Sequence, residues 1–294
     1  MRQWFWQRPL ADYCEGLDAK RRPRDANGVV RGAQAFRLEG NNGEAVILVH
    51  GFNDTPQSMR YLAQRLHAAG YTVEVPRLAG HGATLASLAR DAESAVWRAQ
   101  IHRSHEELRR SYSLVHICGQ SMGGALAALE VSGMPDTPSL VLLAPYLDMP
   151  LAMRCNTRMA ALLAVFIPFI PTSGGRRSIH DPEANARSLG PRFVTSGILA
   201  SFRRVARSAW TVLPSLAVPT LYLQSREDNR ITAARADHYF SRLGSAVPGF
   251  SGKRLVWLEG CGHVISTDYC RDRVADEVIA WISAHGMPLR RREG

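Results

Sequence analysis

Short apolar runs alternate with amphipathic stretches along the chain. Ala45-Val46-Ile47-Leu48-Val49, Leu114 to Cys118, Leu140 to Ala144 and Thr220 to Leu223 are brief and close to continuously apolar, the pattern of strands buried on both faces. Tyr71 to Val75 and Arg254 to Leu258 predict further strands, and Ala33 to Leu38 alternates like an edge strand. Between these runs, Thr55-Pro56 supplies an N-cap followed by proline at the first helical position, and Gly70 closes that helix. Helices are also predicted over 91–111, Met122 to Val131, 232–242 and 271–284. Strands alternating with helices imply parallel β-α-β units, right-handed crossovers and helices on both faces of one sheet. The alternation breaks at Pro145 and resumes at Thr220. Residues 146–213 show several helical stretches and no clear strand, and are expected to be an inserted helical cap. The expected organisation is an N-terminal basic and aromatic extension (1–32), a core (33–145 and 214–294) and the cap (146–213).

One junction carries chemistry. Gly119-Gln120-Ser121-Met122-Gly123 follows the apolar run that ends at Cys118 and precedes the small-residue helix Gly124 to Leu129. A strand turning sharply into a helix at a serine lifts the hydroxyl above the sheet edge, and flanking glycines make that turn sterically possible. A serine hydroxyl needs a base, and the base an acid behind it. Both are expected on loops at the carboxyl ends of later strands. The candidate base is His263, in Glu259-Gly260-Cys261-Gly262-His263 directly after the last strand. The candidate acid is Asp228, on the loop after Thr220 to Leu223. Glu227 is its immediate rival, and Asp237 and Asp268 are weaker alternatives. The oxyanion of an attacked carbonyl requires backbone N–H donors. Met122, at a helix N-terminus, and Phe52, in His50-Gly51-Phe52-Asn53-Asp54, are the candidates.

Taken together, His50-Gly51-Phe52, Gly80-His81-Gly82, Gly119 to Gly124, Ser225 to Ile231 and Gly262-His263 resemble the α/β-hydrolase fold, and more narrowly the bacterial carboxylesterases and monoacylglycerol lipases. The resemblance covers about 44–145 and 215–284. It implies a mostly parallel central sheet with helices on both faces, a triad of Ser121, Asp228 and His263, and oxyanion donors at Phe52 and Met122. It also implies a serine ester hydrolase that cleaves short- to medium-chain acyl esters through an acyl-enzyme. Acyl transfer, thioester, amide or carbon–carbon bond cleavage, or ligand binding without catalysis, are the alternatives on the same fold.

Composition adjusts this picture in three places. The net charge of +10 includes basic clusters at Lys20 to Arg24 and Arg290 to Arg292. With Trp4, Phe5 and Trp6 they suggest peripheral contact with an anionic lipid surface, the alternative being an N-terminal segment packed on the body. No nucleic-acid motif appears, and no metal or organic cofactor is expected. The five cysteines are odd in number and form no C-x-x-C pair, predicting neither a disulfide framework nor a zinc site, and a reducing, cytoplasmic location. The N-terminus lacks the apolar core of a secretory signal, and the longest apolar run, Met159 to Ile170, is too short to span a membrane. Within that run Phe166 and Phe169 are expected, with Phe52, to border an acyl pocket.

Overall fold

The computed structural model describes residues 8–150, 169–172 and 178–286. Its strands sort their side chains by parity. In β2 (Glu44–Val49), Ala45, Ile47 and Val49 enter one apolar cluster, whereas Val46 and Leu48 enter another on the opposite face. In β4 (Leu114–Gln120) and β5 (Leu140–Leu143), Ile117, Leu140 and Leu142 join the first cluster, and Cys118, Val141 and Leu143 the second. Adjacent residues of a strand point to opposite faces, so runs that are apolar at every position must be covered twice. Seven strands form the sheet, in the order β1 (Phe36–Leu38), β3 (Thr72–Val75), β2, β4, β5, β8 (Thr220–Ser225) and β9 (Lys253–Leu258). Only β1 runs antiparallel, against β3. This is the mostly parallel sheet the sequence predicts.

Helices cover both faces. Leu62 and Leu66 of α2 (Arg60–Ala68) and Val274, Val278 and Ile282 of the C-terminal helix (Arg271–Ala284) pack in the second cluster. Trp97 and Ile101 of α4 (Ser94–Arg109) and Leu126 of α5 (Met122–Gly133) pack in the first. The predicted 91–111 helix begins later than expected. A separate α3 (Leu85–Asp91), capped by the Thr84 hydroxyl accepting from Ser87 N–H at 3.0 Å, ends at Ala92, and Glu93 starts α4.

Two further elements depart from the sequence reading. Residues 1–32 include a helix, α1 (Arg8–Arg21). Its inward stripe is Cys14, Asp18 and, one residue past the end, Arg22. Two of those three carry charge, so hydrophobic periodicity has nothing to detect there. The inserted stretch also contains two strands, β6 (Phe169–Pro171) and β7 (Phe193–Thr195), paired antiparallel with Phe169 opposite Thr195. Between them lies α6 (Pro182–Arg187), and after β7 comes α7 (Ser196–Val212), whose Val205, Ala206 and Ala209 pack in the first cluster beside α5. Among the described residues the remaining helices are α8 (Ala233–Arg242) and α9, the C-terminal helix already described. Trp4, Phe5, Trp6, Phe166 and Arg290 to Arg292 lie outside the described residues. Among the described residues no helix is long and apolar enough to cross a membrane.

Candidate active site

The turn from β4 into α5 places Ser121 at φ 55°, ψ −115°, a left-handed backbone that a non-glycine residue adopts only where its surroundings enforce it. The surroundings are tight. A Cβ on Gly119 would lie 2.2 Å from the Gly123 carbonyl oxygen, and one on Gly123 would lie 2.1 Å from that of Val49. These two positions need glycine because backbone meets backbone there. Strain at Ser121 is held by Ser121 N–H donating to the Leu143 carbonyl at 2.9 Å and by Tyr146 N–H donating to the Ser121 carbonyl at 3.0 Å.

The three residues proposed from the sequence as nucleophile, base and acid come together. Ser121 Oγ lies 2.8 Å from His263 Nε2, and His263 Nδ1 lies 2.7 Å from Asp228 Oδ2. The hydrogen-bond pattern assigns the proton on Nδ1, donated to the carboxylate, leaving Nε2 to accept from the serine. All three residues are buried against bulk water. The Asp228 carboxylate also accepts Arg230 N–H at 2.6 Å, Ile231 N–H at 2.9 Å and the Gln224 side-chain amide at 2.7 Å. Burial pushes its pKa up, but the facing His263 and these hydrogen bonds outweigh it and hold the group below the usual carboxylate range. It is therefore anionic at neutral pH, as stabilising an imidazolium requires.

The rival carboxylates have other partners. Glu227 accepts Gly260 N–H at 2.7 Å. Asp237 lies in α8. Asp268 is fully buried and accepts four backbone N–H groups, those of Gly262, His180, Asp181 and Tyr269, at 2.7 to 2.9 Å. It thereby ties the His263 loop to the inserted segment, a role that requires contacts 87 residues apart and is invisible locally. The same loop carries a correction: Cys261 and Cys270 are joined by a disulfide, where the cysteine count predicted none. The two flank His263 in one folded-back loop, nine residues apart. Cys14 and Cys118 are free and buried. The cysteine-based argument for a reducing compartment is thereby lost.

Gln120, between Gly119 and Ser121 in the elbow, tethers the His263 backbone. Its amide nitrogen donates to the His263 carbonyl at 3.0 Å and to the Leu143 carbonyl at 3.1 Å. Gln120→Ala is expected to lower kcat about tenfold with little change in KM, because His263 loses its backbone tether. Steady-state kinetics beside circular dichroism checks this, and an unchanged kcat in the folded variant would refute the tether.

The loop after β2 lies against the serine: a Cβ on Gly51 would be 3.3 Å from Ser121 Cβ. His50, fully buried, fixes that loop by accepting Leu78 N–H on Nε2 at 3.2 Å, with Nδ1 3.0 Å from the Gly51 carbonyl. Burial, and then neighbouring His81, push its pKa well down, so it stays neutral. A cavity of about 540 Å³ opens above Ser121 and His263. Its apolar end includes Phe52, Tyr146 and Phe202, with the Phe52 and Phe202 rings stacked at 4.6 Å. Phe169 does not line it. Pairing of β6 with β7 turns that side chain into the apolar core, where it is 5% exposed, and Phe202 of α7 stands at the wall instead.

Asp54 also faces the cavity. Burial raises its pKa to about 6 against hydrogen bonds from Ser58 and Thr55 and the charge of His263. Below pH ~4 the carboxyl is protonated in the folded and unfolded chain alike. Between about 4 and 6 only the folded chain keeps the proton, so stability falls as pH rises through that window and stays lower above it. Asp54→Asn is expected to raise stability by about 2 kcal/mol more at pH 8 than at pH 4. Thermal denaturation at both pH values reads the difference, and an equal effect at both would contradict it. Among the described residues no cluster of three or more His, Cys, Asp or Glu is placed to hold a metal ion.

The model of the serine aminopeptidase S33 family matches residues 40–269. The chain belongs to this family. This S33 member is 27% identical over 257 residues to a thermostable monoacylglycerol lipase of Bacillus sp. (strain H-257), covering 87% of this chain and 97% of the lipase. It is 23% identical to a carboxylesterase of Bacillus subtilis (strain 168), over 84% of this chain and 95% of the other. Among solved structures, a study of two metagenome-derived lipolytic enzymes provides one that superposes with a TM-score of 0.78 at 27% identity, over 87% of this chain and 100% of that one. The S33 member therefore has the α/β-hydrolase fold the motifs implied.

Proposed function

We propose that Ser121 is the nucleophile, His263 the general base and acid, and Asp228 the group that orients and stabilises His263. The protein is a serine ester hydrolase. The observation that carries this assignment is the continuous pair of hydrogen bonds, 2.8 Å and 2.7 Å, from a strained serine lining the cavity through a histidine to a buried carboxylate behind it. His263 Nε2 takes the hydroxyl proton as Ser121 Oγ attacks the ester carbonyl, and Nδ1–H stays with Asp228. The tetrahedral oxyanion is held by the backbone N–H groups of Phe52 and Met122. Collapse expels the alcohol, which takes the proton from Nε2, and the acyl group remains on Ser121. Water then attacks the acyl-enzyme, giving its proton to His263, and the carboxylic acid leaves as Ser121 is regenerated.

The acyl chain is proposed to lie in the apolar end between Phe52, Tyr146 and Phe202. The relatives named as a monoacylglycerol lipase and a carboxylesterase support an acyl ester as substrate, and its chain is proposed to be short to medium in length. Hydrolysis of p-nitrophenyl esters from acetate to palmitate tests the reading. An optimum at intermediate length is expected, and no turnover at any length would remove the ester assignment.

A further inference from the structure

We propose that the N-terminal helix α1 is part of the substrate site, with Arg22 the positioning residue that fixes one cavity wall and so sets which ester lengths bind. The inference rests on the proposed role of Ser121 in the same cavity. The family match begins at residue 40, so α1 lies outside the matched domain. Apart from Cys14, which packs in the first cluster, its inward stripe is charged. Asp18 and Arg22 are each 2% exposed. Arg22 Nε donates to Asp18 Oδ1 at 3.0 Å, Arg22 Nη2 pairs with Asp18 Oδ2, and Arg24 Nη2 reaches the same oxygen at 3.0 Å.

The pair neutralises the buried guanidinium and leaves Nη1 free to point elsewhere. It donates to the Leu189 carbonyl at 3.0 Å, 167 residues along the chain. Ser188, Gly190 and Pro191, which flank Leu189, line the cavity. The loop's other side rests on the turn after β2. Asn53 Nδ2 donates to the Pro191 carbonyl at 2.9 Å, and a Cβ on Gly190 would sit 2.6 Å from the Asn53 carbonyl oxygen. Asn53 follows Phe52 and holds φ 55°. The wall is thus clamped between α1 and the turn proposed to carry an oxyanion donor. A second tie, Leu85 N–H to Glu15 Oε2 at 2.7 Å, fixes α1 against α3. A helix that needed only anchorage would bury apolar side chains. This one buries an ion pair aimed at a single wall carbonyl, which makes sense if the position of that carbonyl matters.

Two substitutions test the clamp. Arg22→Lys keeps a cation beside Asp18 but lacks the fork that reaches both Asp18 and Leu189. Arg22→Met removes the cation and leaves Arg24 to compensate Asp18. In either folded variant KM for laurate or longer esters is expected to rise at least about fivefold while kcat stays within about twofold, and both constants for acetate stay within about twofold. An anchoring role alone would lower the melting temperature and leave the length profile unchanged. That result, or an equal loss at every length, overturns the proposal.

The wild-type protein gives a readout that needs no variant. Labelling Ser121 with a long-chain fluorophosphonate is expected to slow amide hydrogen exchange in α1 at least about twofold relative to a short-chain probe. Equal exchange with the two probes overturns the clamp. Failure of both to label Ser121 would instead remove the nucleophile assignment beneath it.

Discussion

Ser121→Ala is expected to lower kcat by about 10⁴-fold or more, while the protein stays folded and still binds ester. A loss of that size corresponds to about 5.5 kcal/mol of transition-state stabilisation. Its source is specific: in the proposed mechanism the hydroxyl oxygen is the atom that becomes bonded to the acyl carbon, and no neighbouring group replaces it. The fold is expected to survive because the strain at φ 55° falls on the backbone and Cβ, which Ala shares with Ser. The backbone bonds to Leu143 and Tyr146 involve no side chain and persist. Residual activity above water would come from the N–H donors and the cavity. Burst kinetics with a p-nitrophenyl ester, alongside circular dichroism, reads both halves of the expectation. Near-normal turnover in a folded variant would remove Ser121 from the chemistry.

Asp228→Asn is expected to lower kcat by about 10³–10⁴-fold, and the reason lies in donor counting. Four donors point at this carboxylate: His263 Nδ1–H, the N–H groups of Arg230 and Ile231, and the Gln224 amide. An asparagine has one acceptor oxygen and one NH₂. If the NH₂ faces the imidazole, it demands an acceptor there, the proton moves to Nε2, and Nε2 cannot take the serine proton. If the NH₂ is turned away, it meets two backbone donors in a buried site. Neither orientation preserves the working tautomer without an unsatisfied group. The variant should therefore also lose some stability. Kinetics across neutral pH with thermal denaturation checks both effects. A fall of less than about tenfold in a folded variant would shift the acid role to Glu227 on the same loop.

Much of the frame was legible in the residues. The inner strands β2, β4, β5 and β8 were apparent because burial on both faces leaves a nearly unbroken apolar run, and helix α9 was apparent because its apolar spacing is regular. The elbow was legible because Gly119 and Gly123 flank a serine at a strand-to-helix junction. The choice among Glu227, Asp228 and Asp268 was not, since three carboxylates on two loops look alike until their donors are known. Phe169 was misplaced for a related reason: an apolar residue beside a site suits a pocket wall and a core equally, and strand pairing decided for the core.

The sequence by itself determined the class of architecture and the position of the strained serine, because these follow from local sterics and from the period of burial. The tertiary structure alone decided which carboxylate faces His263, that Cys261 and Cys270 join around it, that Gln120 and Asp268 hold its loop, and that α1 reaches the cavity wall. Apart from the disulfide, which closes over nine residues, each of those depends on polar groups satisfied by partners far along the chain. Buried polar contacts of that kind leave no periodic trace, since a charged residue paired in the interior has the same appearance in sequence as one solvated at the surface.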